Sequence, residues 1–250
     1  MYGTLFLLPN VLGYSEDLGS EQLLSMIPAK VLAITAGLDY LIAENAKTTR
    51  SFLKRISPLY PLCKPLQEIR IAELNVNTAP SMLPDLLAPI LSGQNGGLIS
   101  EAGVPAVADP GANLVRLAHQ EKVSIKPLVG PSSILLAVMA GGLNGQSFAF
   151  NGYLPTDAQK RIKQIKMLEE RSRNEKQTQL FIETPYRNQA LLESLLSVCR
   201  NDTLISLATD LTLPGESVET LAASQWKKRL NENKMPDFHK KPTVFSFLAA

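Results

Sequence analysis

The sequence predicts an α/β protein with two α/β domains and a cleft between them, and three observations carry that reading. Apolar runs of strand length at 4–8, 39–43, 98–100 and 124–129 each break at Pro, Gly or a polar residue. Helix-start chemistry follows them: Asp109-Pro110 pairs an N-cap with proline at the first helical position, and Gly130-Pro131-Ser132-Ser133 places hydroxyls and backbone N–H groups at a helix N-terminus. After 141–145 the regular alternation gives way to longer spacings, so residues 1–130 are expected to form an N-terminal domain with a parallel sheet and 131–250 a C-terminal domain with a mixed sheet.

Taken in order, 4–8 is the first strand and ends at a loop from Pro9 to Gly13. A helix over 29–38 ends near Gly37, and the strand 39–43 delivers Glu44 to its C-terminal end, the edge where α/β sheets gather functional side chains. Asn45 is placed to cap a helix over 47–56. Pro58, Pro61 and Pro65 predict irregular chain, 68–74 a strand, and Thr78 the cap of an apolar helix over 82–91. The run 98–100 opens into Glu101-Ala-Gly-Val-Pro105, where Gly103, lacking a Cβ, lets backbone approach a ligand. Leu114, Leu117 and Ala118 recur at helical spacing after Asp109-Pro110, then 124–129 is a strand and a helix runs through Met139. Further on, 148–153 alternates as a strand, and Thr156 to Gln159 is a capping box at a helix start. That helix bears Lys160, Arg161, Lys163, Lys166, Arg171 and Arg173 with Glu169 and Glu170 among them, either a solvated face or a surface that tracks phosphates. Strands at 178–183, 204–208 and 242–248 follow, with a helix end at Trp226 to Arg229.

The 250 residues, 45% hydrophobic and 19% charged, suffice for one large or two small cores. A net charge of +2 does not by itself imply nucleic acid, so only a local concentration of cations argues for it. Cys63 and Cys199 fit no CxxC spacing and are expected as reduced core or helix residues, which suits a cytoplasmic protein. With His119 and His239 the sole histidines and no cysteine beside them, no metal site is expected. The opening apolar run lacks a basic flank and is too short for a signal peptide or membrane helix, so no membrane role is expected.

Three stretches, GLISEAGVPAVADPG, PLVGPSS and FAFNGYLP, together resemble the motifs of the tetrapyrrole methylase superfamily, the class III S-adenosylmethionine-dependent methyltransferases. Within it the chain is most like the branch that methylates a ribose 2′-hydroxyl of small-subunit ribosomal RNA. The resemblance implies S-adenosylmethionine as cofactor, held by Pro9, Ala102, Gly103, Val104, Val107, Ser132 and Ser133, with Thr184 and Leu211 from the second domain. It also implies ribosomal RNA as partner, a homodimer, and a substrate face that includes Lys160, Lys163 and Lys166. A ribose hydroxyl calls for a general base or a charge that stabilises the developing oxyanion, for which Glu44 and Glu101 are the candidate bases and Lys47 and Arg187 the electrostatic helpers.

The departures lie outside the three motifs. Of the branch's Pro-Thr-Pro-Ile-Gly-Asn turn only Pro9 and Gly13 match; Glu-Asp-Thr-Arg is Glu44-Asn45-Ala46-Lys47, and the His-Glu-His-Asn loop is Glu73-Leu-Asn-Val-Asn77. Tyr186 replaces a histidine, Thr209 and Leu213 replace two cations, and Lys240-Lys241 stands where Gly-Glu is usual. They keep two alternatives open: a cofactor-binding module that has lost transfer, and a methyltransferase with a tetrapyrrole or other small-molecule acceptor.

Overall fold

A computed structural model describes residues 1–13 and 19–250, with the side chains of 19–22 left aside. The chain divides into two compact units, Met1–Ser132 and Ser133–Ala250.

In the first unit β1 (Thr4–Leu8) leads to α1 (Gly19–Met26), α2 (Ala29–Ala36), β2 (Tyr40–Ala43), α3 (Ala46–Ile56) and β3 (Arg70–Glu73). α4 (Leu83–Leu91), β4 (Gly96–Ile99), α5 (Gly111–Gln120) and β5 (Ser124–Pro127) complete it. Among the described residues the sheet has five strands in the order β3-β2-β4-β1-β5, every pairing parallel. β2 and β4 are buried along their whole length, as central parallel strands covered by helices on both faces must be. Side chains alternate along β2: Tyr40 and Ile42 join one core with Leu87, Ile90, Leu98 and Leu114, while Leu41 and Ala43 join the other with Leu8, Leu32, Phe52 and Leu53. The chain leaves β1 toward β2 and β3 on one side, returns to insert β4, and then crosses β1 to reach β5. Strand order therefore reverses between β4 and β1, where the following loops diverge and open a crevice at the C-terminal edge.

The second unit holds α6 (Ser133–Gly141), β6 (Phe148–Tyr153), α7 (Ala158–Glu175), β7 (Thr178–Ile182), α8 (Asn188–Val198) and β8 (Leu204–Thr209). β9 (Ser217–Ala222), α9 (Ala223–Asn231) and β10 (Thr243–Leu248) follow. Its sheet runs β6-β7-β10-β8-β9, with β6 and β7 parallel and the other pairs antiparallel. The core gathers Phe181, Phe245, Phe247, Leu192, Leu195 and Trp226, whose indole N–H donates to the Ile205 carbonyl at 2.9 Å. Burying that ring is tolerable because its one donor is satisfied.

Several local expectations change. Thr78 does not cap α4; its hydroxyl accepts from the Asn75 N–H at 3.0 Å, and a 3₁₀ turn over Pro80–Met82 leads into the helix instead. At α7 the cap is Asp157, which accepts from Lys160 N at 2.8 Å, so the expected Thr156 box is displaced by one residue. Arg161 is no part of a solvated face: it is buried, with its guanidinium donating to Ser194 Oγ and to the carbonyls of Pro155 and Thr156. Glu169 is buried too, accepting from Arg200 N at 2.7 Å and Thr203 Oγ1 at 2.5 Å. Cys199 is a core residue as expected, but Cys63 is exposed in the irregular segment after α3, where three nearby prolines prevent regular packing.

Candidate active site

The crevice at the β1–β4 switch point is closed by one side chain. Asn10, 5% exposed, follows β1 and donates through Nδ2 to the carbonyls of Ser100 (3.2 Å) and Glu101 (3.0 Å), which follow β4. Its Oδ1 accepts from Val11 N at 2.9 Å, and its own N–H donates to the Gly103 carbonyl at 2.8 Å. Two loops that are far apart in sequence are thus held as a short bridge, with the donors and acceptors of Asn10 satisfied despite burial. On the other flank the Glu44 carboxylate accepts from Glu101 N at 2.8 Å, which ties the end of β2 to the same turn.

Past this turn the backbone is unusual. Gly103 has φ +69, and a Cβ there would lie 3.1 Å from Leu12 Cδ2 and 3.4 Å from the Pro131 carbonyl. Ala106 and Ala108 also sit in the left-handed region, at φ 65 and 62, a conformation that costs an L-residue about 1–2 kcal/mol. Asp109 holds the strained loop: one carboxylate oxygen accepts from Ala106 N at 2.8 Å and the other from Gly111 N at 2.7 Å, at the start of α5. Burial pushes the Asp109 carboxyl up, and those backbone N–H groups partly offset the rise. The outcome is a rigid ledge of backbone and small side chains, on which Val107 stands 46% exposed. Behind the ledge, Gly130 lies so close to buried Pro9 that a Cβ would come 2.0 Å from the proline Cβ.

α3 begins beside the ledge. Asn45 caps it, accepting from Lys47 N (2.9 Å) and Thr48 N (3.3 Å), and Glu73, from the end of β3, accepts from Ala46 N at 2.9 Å. Asparagine thus does the work expected of an aspartate at this place. A groove of about 640 Å³ opens between α3 and the loop 10–13, and Lys47 and Glu101 both line it.

Of the residues singled out in the sequence, Pro9, Glu44, Lys47, Glu101, Ala102, Gly103, Val104 and Val107 all belong to the loops at this one sheet edge, or to the helix start beside it. Ser132 ends the first unit, and Ser133 opens α6. Arg187, Thr184 and Leu211 belong to the second unit, where the ends of β6, β7 and β8 and the start of β10 share an edge. There Glu183, its side chain fully buried, lies 2.8 Å from Arg187 Nη2, at an angle too poor for a hydrogen bond, and accepts from Thr184 N at 2.7 Å. The helper cation is therefore already paired. Leu211 is buried between Asp210 and Thr212, both at positive φ, and Lys241 reaches Asp210 at 3.5 Å, which returns a cation to an edge that lost one at Thr209. Lys160, Lys163 and Lys166 are all exposed on α7.

Sequence reasoning missed Asn10, Glu73 and the cations Lys54 and Arg55. A Pro-Asn pair after the first strand was the available sign for Asn10, yet its partners lie 90 and 91 residues away. The charge of α3 was visible in its composition; that it faces a groove was not.

No family model matches the chain. Curated relatives do, among them the ribosomal RNA small subunit methyltransferase I of Streptococcus pyogenes serotype M3, 29% identical over 93% of this chain and 73% of that protein. The protein of the same name from Escherichia coli O157:H7 is 27% identical over 86% of this chain and 68% of its own length. Among solved structures, the cobalamin biosynthetic enzyme cobalt precorrin-4 methyltransferase superposes with a TM-score of 0.59 at 12% identity, covering 98% of this chain and 94% of its own. The uroporphyrin-III-C-methyltransferase of Thermus thermophilus gives 0.52 at 17% identity, over 99% and 93%. The resemblance read from the three motifs is borne out: the chain has the class III, tetrapyrrole methylase fold and is related along nearly its whole length to the ribosomal RNA small subunit methyltransferase I proteins.

Proposed function

We propose that the protein is an S-adenosylmethionine-dependent methyltransferase that acts on a ribose 2′-hydroxyl of small-subunit ribosomal RNA. The observation that carries the reading is the strained, Asn10-pinned ledge at the topological switch point, in a chain whose curated relatives are named as small-subunit ribosomal RNA methyltransferases. S-adenosylmethionine fits the residues present. A nucleoside joined to an amino acid asks for close backbone approach, an apolar shelf for the base and exposed N–H and carbonyl groups. The ledge offers Gly103 without a Cβ, exposed Val107 and the small Ala102, and Val104, Pro9, Ser132 and Ser133 are proposed as further contacts. Thr184 and Leu211 are proposed as the second unit's contribution.

The cofactor supplies a methyl group on a sulfonium, which needs no metal; the chain's part is to hold the acceptor oxygen in line. Of the two candidate bases, Glu44 is committed to Glu101 N, which makes it a positioning residue. Glu101 has no side-chain partner among the described residues and shares its groove with Lys47, so it is the proposed base, with Lys47 offsetting charge as the hydroxyl gives up its proton. Arg187, Lys160, Lys163 and Lys166 are proposed as contacts to the RNA. We also propose a homodimer: α6 carries no charged side chain and leaves Met139 76% exposed.

The test is methyl transfer from labelled cofactor to small-subunit ribosomal RNA, with a tetrapyrrole as parallel acceptor. Label mapped to a ribose 2′-oxygen, lost in Glu101→Gln while cofactor affinity stays, supports the proposal. Label on the tetrapyrrole alone would move the acceptor class. Cofactor binding with no transfer to either would leave a module that has lost activity.

A further inference from the structure

The chain's small net charge conceals one very uneven element. α3 carries Lys47, Arg50, Lys54 and Arg55 and no acidic residue. At about 100° per residue, buried Thr49, Phe52, Leu53 and Ile56 take one side, and the four cations fall within about 140° on the other. Ser51 lies inside that arc, and Lys47, Ser51 and Arg55 line the groove that Glu101 shares, while Arg50 and Lys54 continue the charge along the exposed flank beside it.

A merely solvated helix face interleaves acids with its bases, as the C-terminal end of α7 does with Arg171–Glu175 and Arg173–Glu170. α3 instead sets Arg50 and Lys54, like charges, at i,i+4 spacing, and sets Lys47 in its first turn, where the helix dipole disfavours a cation. No ion pair engages Lys47 or Lys54 among the described residues. Each arrangement is unfavourable in the isolated fold, and a bound anion would relieve both. The cations extend along about 12 Å of helix axis from Lys47 to Arg55, more than a single phosphate can meet.

We infer that this face of α3 is a phosphate track, which takes successive backbone phosphates of the RNA acceptor and sets one of its nucleotides beside Glu101. The inference rests on the RNA reading of the proposed function and adds to it a second basic surface, on the first unit and separate from α7. Its contacts are ionic, with the Ser51 hydroxyl as an added donor.

The experiment compares wild type with Lys47→Gln/Lys54→Gln, two exposed positions whose replacement empties no core. A fluorescent small-subunit ribosomal RNA fragment is titrated between 50 and 200 mM salt, and S-adenosylmethionine binding is measured in parallel. With each lost phosphate contact worth about 0.7–0.9 in the slope of log affinity on log salt, the double variant should bind RNA more weakly with a slope shallower by about 1.4–1.8. Cofactor affinity should not change. A variant that keeps the wild-type affinity and slope would overturn the track, while RNA binding by wild type would leave the acceptor reading standing. Wild type that binds cofactor but no RNA would overturn both.

Discussion

Replacing Asn10 with alanine should loosen the ledge more than any other single change that leaves the cores full. The side chain makes three hydrogen bonds, two donated to Ser100 and Glu101 and one accepted from Val11. Glu101 is exposed, so its carbonyl can turn to water, whereas Ser100 and Val11 are buried and 6% accessible each. Leaving those two groups unpaired costs about 1–3 kcal/mol apiece, so a total of roughly 2–6 kcal/mol is expected. At about 2–4 °C per kcal/mol for a protein of this size, the melting transition of the first unit should fall by roughly 4–24 °C. Asn10→Asp is the sharper partner variant, because it turns the donating amide into an oxygen facing two carbonyls; it should be less stable than the alanine variant despite its closer shape. Calorimetry would give the transitions, and hydrogen exchange should show the loss of protection centred on residues 10–13 and 100–104. An alanine variant within about 0.5 kcal/mol of wild type, or an aspartate variant more stable than the alanine one, would refute the account of how the crevice is closed.

Three further outcomes follow from the same geometry. Gly103→Val should abolish S-adenosylmethionine binding by calorimetry while circular dichroism stays native, since a β-branched residue at φ +69 costs about 1–2 kcal/mol and presses on Leu12 and the Pro131 carbonyl, which shifts the ledge, and retained affinity would show that the ledge is not the site. Native protein should displace one equivalent of thiolate from a disulfide reagent at pH 8, through a mixed disulfide at exposed Cys63, and a second only on unfolding, because burial pushes the Cys199 thiol up to about 12; two rapid equivalents would contradict that packing. The Lys64 ammonium, 2.6 Å away, holds the Asp39 carboxyl below its ordinary value of 3.8, so this pair stabilises the fold above that pH and ceases to as pH falls through the depressed value. The stability difference between wild type and Asp39→Asn, small because both groups are partly exposed, should vanish in acid; a difference that grows in acid would reverse the assigned sign.

What the sequence made legible was local. Asn45 is readable as a cap because its partners are two and three residues on, and the parallel sheet is readable because each apolar run ends beside a helix start. What it concealed was pairing at a distance: Asn10 with residues some 90 positions away, Glu73 with Ala46, and Arg161 with Ser194, each of which turns a nominally exposed polar residue into a structural one. α8 went unread because nothing marks its start. Its N-cap is Arg187, with no capping side chain, and a 3₁₀ turn over Pro185–Arg187 supplies the entry instead. β9 is a half-buried edge strand of mixed residues, and such strands carry the weakest alternation. The departures from the related enzymes acquire physical content in the same way: Asn45 still caps α3, while Lys241 at Asp210 offsets a cation lost at Thr209.

The most direct test of the central claim, that the ledge at the β1–β4 switch point is a cofactor site, is calorimetric titration of the folded protein with S-adenosylhomocysteine. The account predicts saturable heat with one site per chain, abolished by Gly103→Val and weakened about tenfold for each 1.4 kcal/mol by which Asn10→Ala loosens the loop. No heat from protein shown to be folded, or heat that survives Gly103→Val unchanged, would contradict it.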